Sequence, residues 1–169
     1  PIGVWLLAKR RLTPVEGFTA GLISGAGFAL VESLGYTSGG GQNWIFMVLT
    51  RAPTALMHIL TCGLTGWGLA KAINLRRSRW FLVGYGGAVG IHGLWNGLIL
   101  SAVWITLSYP DHPGALALAG LALLGMLVLF GFAFFLLILI NYRLRQQIAH
   151  TIISPEPALV LTQVKISSE

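Results

Sequence analysis

Four long stretches of the chain are almost continuously apolar, and short basic or turn-forming clusters separate them. About 20 apolar residues, rising ~1.5 Å each, cross a hydrocarbon core ~30 Å thick, so runs of this length predict membrane-spanning helices. The spans fall at about 14–36, 45–71, 80–108 and 114–140. The predicted fold is therefore all-α, a polytopic transmembrane helix bundle with four spans. Thr13-Pro14-Val15-Glu16 predicts how the first span starts: Thr13 as N-cap, Pro14 at the first helical position and Glu16 closing a capping box. In the second span, Pro53 suits a first turn, so regular helix is expected from near Ala52, with 45–51 lying shallow. Tyr109-Pro110-Asp111-His112-Pro113 predicts a tight turn between the last two spans. Residues 1–11 read as the inner end of a preceding span, so the chain is expected to be truncated at its N-terminus. Residues 12–145 form the membrane domain and 146–169 a cytoplasmic tail, with a short interfacial helix expected over 141–153.

Composition excludes a soluble domain. Hydrophobic residues make up 55% of the 169 and charged ones only 9%, and the mean hydropathy is +0.77. The net charge of +6 would suit a nucleic-acid partner, but the basic residues gather at span ends. Counted along the connections they run three, none, four, none and two (Lys9, Arg10, Arg11; Lys71, Arg76, Arg77, Arg79; Arg143, Arg145). That alternation follows the positive-inside rule. It predicts a multi-pass cell-membrane protein with both termini cytoplasmic, the lipid bilayer as its surroundings and no nucleic acid. The single cysteine, Cys62, rules out an intrachain disulfide and reads as a small packing residue.

Against this background the polar residues inside the spans stand out. Glu32 lies in the glycine-rich run Gly21 to Tyr36, on one helix face with Gly21, Gly25 and Phe28. A carboxylate in hydrocarbon costs about 2.5–3.5 kcal/mol even on insertion scales, so its default reading is functional. His58 and His92 each stand thirteen positions from the basic edges Lys71 and Arg79, ~20 Å deep, and Glu32 comes out ~22 Å past Gly17. Three ionisable groups on three spans thus share one depth. Asn96 follows His92 by one turn, between Gly86, Gly90, Gly93 and Gly97, whose spacing reads as helix-packing GxxxG pairs. One Glu and two His can supply the three protein ligands of a catalytic zinc site. They could equally activate a water directly or relay protons. A lone membrane histidine is more often an interhelical hydrogen bond, but matched depth favours a joint role. Arg51 shares the His58 face and reads as an interfacial, snorkelling anchor.

These residues resemble the PrsW family of intramembrane proteases, relatives of the CAAX-prenyl endopeptidases. Phe28-Ala29-Leu30-Val31-Glu32 is similar to that family's F-x-x-x-E motif, within a glycine-rich stretch that has Ser33 where Asn is usual. Arg51-Ala52, His58, Gly63 and Gly66 resemble its second histidine-bearing span, and His92-Gly93-Leu94-Trp95-Asn96 fits H-x-x-x-D/N. The resemblance covers about 13–101. It implies an intramembrane endopeptidase acting on membrane-anchored peptides or proteins in regulated proteolysis, with 12–145 as the protease domain. Glu32, His58, His92 and Asn96 would be catalytic, and Glu32, His58 and His92 would hold a zinc ion if one is used. The family's first motif, E-E-x-x-K, falls before Pro1, so the catalytic glutamate pair is expected upstream. The rival readings are a non-enzymatic scaffold derived from such a protease, or a proton-coupled transporter. A transporter favours repeated topology and broken helices, which this sequence lacks.

Overall fold

The computed structural model describes residues 12–37 and 44–153. The expectations for 1–11, for the loop at 38–43 and for the tail beyond 153 lie outside the described residues. The fold is all-α. Its helices are α1 (Pro14–Thr37), α2 (Trp44–Leu75), α3 (Arg79–Ser108) and α4 (Ala115–Ile153). Each contains a segment long and apolar enough to cross a membrane: Pro14–Tyr36, Arg51–Leu75, Arg79–Ser108 and Ala115–Gln146. The chain is a multi-pass membrane protein.

Helix α1 begins as its sequence dictates. The Thr13 backbone N–H and hydroxyl donate to the Glu16 carboxylate at 2.7 and 2.9 Å, and the Glu16 N–H donates back to the Thr13 hydroxyl at 3.2 Å. Both orphan donors of the capping box are satisfied. Helix α2 starts at Trp44 and carries Pro53 inside it, so the proline does not open the helix as expected. It removes one backbone donor without ending the run. The helix ends at Arg76, which takes a positive φ of 50°. The Arg77 N–H bonds to the Ala72 carbonyl at 3.0 Å, the six-to-one bond of a Schellman cap. Between α3 and α4, the His112 N–H reaches the Tyr109 carbonyl at 3.2 Å, closing the predicted turn. Residues 141–153 are helical as the last part of α4, not as a helix of their own.

Two compact units divide the chain, Pro1–Phe135 and Leu136–Glu169. In the first, α1 and α2 pack antiparallel through glycines. A Cβ added at Gly25 would stand 2.5 Å from the His58 carbonyl oxygen, and Cβ atoms at Gly21 and Gly17 would collide with the carbonyls of Cys62 and Gly66. Each step of four along α1 is matched by a step of four back along α2, so only glycine lets the two backbones meet. Phe18, Met57 and Leu60 fill the seam and are fully buried. Helix α3 approaches α2 in the same way, where a Cβ at Gly84 would lie 2.6 Å from the Leu64 carbonyl oxygen. The large apolar side chains left on the outside, such as Leu82, Leu100, Leu116 and Leu127, form the surface that lipid covers.

One packing expectation is corrected. A Cβ at Gly86, Gly90, Gly93 or Gly97 would meet no described atom within 4 Å. The GxxxG spacing on α3 is therefore not used between the described helices. Gly84, on the opposite face of α3, carries the close approach instead.

Candidate active site

The α1–α2 register that pairs Gly25 with His58 continues outward, through buried Ala29 and Thr54, to Glu32 on α1 and Arg51 on α2. The Glu32 carboxylate oxygen Oε2 accepts a hydrogen bond from Arg51 Nη2. The same oxygen lies 2.9 Å from His58 Nε2. From α3, the His92 ring sits 4.9 Å from the His58 ring, centroid to centroid. Phe28, one turn before Glu32, places its ring edge-on to His58 at 4.8 Å. Glu32, His58 and His92 are thus brought together from three helices, with His58 in the middle.

His58 is held firmly for a polar residue at membrane depth. Its side chain is buried, pinned by Glu32 on one side and by two rings on the others. Below it, Thr61 and Thr65 are also buried, and their hydroxyls donate to the carbonyls of Met57 and Thr61 at 2.7 and 2.9 Å. This satisfies the donors within α2, as a low-dielectric setting requires. A cavity of about 640 Å³ opens beside the histidines, bounded by Phe28, Thr65, Tyr85, Val89 and Gly93 among others. Its lining is mostly apolar with a few polar groups, the usual make-up of a small-molecule or peptide site.

Asn96 is exposed, one turn beyond His92, and its side chain makes no hydrogen bond to another described residue. Arg51 stands differently from its sequence expectation. Instead of snorkelling, it turns into the site and pairs with Glu32, its side chain only 18% exposed, with its guanidinium carbon 4.3 Å from the Tyr36 ring centroid. The signal was present in the spacing: Arg51 and His58 are seven apart on α2, and Glu32 and Tyr36 four apart on α1, so each pair shares a face.

The donor chemistry suits a metal, since one carboxylate and two imidazoles are the usual three-ligand complement of a catalytic zinc. Among the described residues, however, no three ligand-type side chains are gathered at once as a metal would need.

Four apolar spans with a carboxylate–imidazole cluster on three of them define a polytopic helical membrane protein with an embedded polar site. The chain belongs to the PrsW family of intramembrane metalloproteases, whose family model matches residues 1–130. No curated protein and no solved structure matches it.

Proposed function

We propose that the chain forms the core of an intramembrane endopeptidase that cleaves membrane-anchored peptide or protein segments, with Glu32, His58 and His92 as its catalytic cluster. The observation that carries this reading is the shared hydrogen bond at Glu32 Oε2 and the His58–His92 ring contact, with both histidines lining an apolar cavity. Family membership supports the reaction class. The cavity would receive an extended apolar segment and keep bulk water from it. His58, anchored by Glu32, would present its imidazole to the reacting centre. Asn96, exposed one turn beyond His92, is the candidate donor to the oxyanion of the tetrahedral intermediate.

Glu32, His58 and His92 would hold the family's metal, proposed as zinc. When bound, such an ion supplies Lewis acidity and lowers the pKa of a water ligand. By the positive-inside rule, the Arg76–Arg79 turn and both ends of the sequence are placed in the cytoplasm, and the 109–113 turn outside. The direct test is to coexpress the full-length protein with single-span reporters bearing apolar stalks. Cleavage products that disappear in Glu32→Gln, His58→Ala and His92→Ala are expected. Unchanged cleavage in all three would defeat the assignment.

A further inference from the structure

We infer that the cavity beside the histidines is a one-sided specificity pocket: it receives the substrate residues on the cytoplasmic side of the scissile bond and admits only uncharged side chains there. The inference rests on the peptidase reading above and adds where along the substrate selection falls.

The cavity is not centred on the Glu/His cluster. His58 and His92 stand near one end of it, and from them its lining runs seven positions along α2 to Thr65 and seven back along α3 to Tyr85. Both runs head for the basic edge at Lys71 and Arg79, a length of ~10 Å at the helical rise. In the other direction the lining reaches only Gly93, one position past His92, and it takes in neither Glu32 nor Arg51. Helix packing accounts for the asymmetry. The α2 and α3 backbones meet at Gly84, where an added Cβ would stand 2.6 Å from the Leu64 carbonyl oxygen. From that contact they part toward the histidines, whose two rings span the gap at 4.9 Å between centroids.

An extended chain advances ~3.3 Å per residue, so a space ~10 Å long holds about three residues. With the scissile bond at His58 and His92, these are the residues between the cut and the basic edge, which the positive-inside rule places in the cytoplasm. No carboxylate, lysine or arginine lines the cavity, and the Thr61 and Thr65 hydroxyls donate to carbonyls of α2 itself. A charged substrate residue would therefore enter without a counter-charge. Val89, between Tyr85 and His92, lines the space with its side chain about half exposed, so it can be resized without disturbing the α2–α3 seam. A packing defect filled by acyl chains would have the same lining, but it would not bias which substrates are cut.

The experiment uses the full-length protein and purified single-span reporters in mixed micelles, with the cut located by mass spectrometry. Each of the three residues on either side of the cut is replaced in turn by Leu, Ala, Phe and Asp, and kcat/KM is compared. On the cytoplasmic side, Asp should lower kcat/KM about 100-fold relative to Leu, the scale of an uncompensated charge in hydrocarbon. On the outer side the same change should have a much smaller effect. In Val89→Phe, the preference for Leu over Ala on the cytoplasmic side should fall about 10-fold or more, and in Val89→Ala the acceptance of Phe there should rise, since one methylene in an apolar pocket is worth about 10-fold to 200-fold. Should Val89→Phe fail to fold by circular dichroism, Val89→Ala carries the comparison. Selection exerted by the outer-side residues, or cytoplasmic-side preferences unmoved in the folded Val89 variants, overturns the pocket and leaves the peptidase reading standing. No cleavage of any reporter by the wild type overturns the peptidase reading and this inference together.

Discussion

Glu32 and Arg51 face each other because α1 and α2 keep one antiparallel register from Gly17–Gly66 through Gly25–His58. The glycine contacts that let the backbones touch also decide which ionisable side chains meet. Site assembly and helix packing are therefore one problem here, and mutations in either should be felt in the other.

The register can be tested at its glycines. Gly25→Ala places a Cβ against the His58 carbonyl, a backbone atom that cannot rotate away. Overpacking of this kind typically costs about 1–3 kcal/mol. Gly90→Ala meets open space and gains up to ~1 kcal/mol of helix propensity. Unfolding in mixed micelles should show a clear loss for the first and none for the second; similar losses for both would refute the register.

The Glu32–Arg51 pair should be energetically coupled. Removing one partner of a buried pair costs about 3–5 kcal/mol, and somewhat less is expected here because both side chains keep some exposure, 28% and 18%. In a double-mutant cycle, Glu32→Gln with Arg51→Gln should be less destabilised than the two singles added together, with a coupling of roughly 0.5–3 kcal/mol. Strict additivity would mean that the pair does not form in the bilayer.

In the full-length protein, Asn96→Ala is expected to lower kcat about 10²–10³-fold with KM little changed, the signature of a single oxyanion donor. A change confined to KM would instead make Asn96 a substrate-binding residue.

Val89→Trp should abolish reporter cleavage by filling the cavity while leaving any zinc binding intact, because Val89 lines that space but lies outside the proposed ligands Glu32, His58 and His92. Cleavage at the wild-type rate would place the substrate elsewhere.

Topology is open to cysteine labelling in a Cys62→Ala background. A cysteine at Asp111 should react with an impermeant maleimide in intact cells, and one at Ser78 only after permeabilisation. The opposite pattern would reverse the orientation given by the Lys/Arg alternation.

Hydropathy alone determined the all-α, four-span architecture, because the length of an apolar run is a local property and the bilayer sets its minimum. The capping box at Thr13 and Glu16 was legible for the same reason, since all its atoms lie within one turn. Depth counted from the basic edges also pointed to Glu32, His58 and His92 as one set. What the sequence could not decide was who faces whom. Glycine spacing shows where a helix can be approached, not whether anything approaches: Gly25 meets the α2 backbone, while Gly86 to Gly97 meet no described atom. Arg51 could equally have snorkelled to the interface, and its proline-containing segment could have lain shallow. Only the packed register of α1 on α2 set its guanidinium on Glu32. That choice depends on atoms 19 positions apart in the chain, and their meeting is an outcome of tertiary packing.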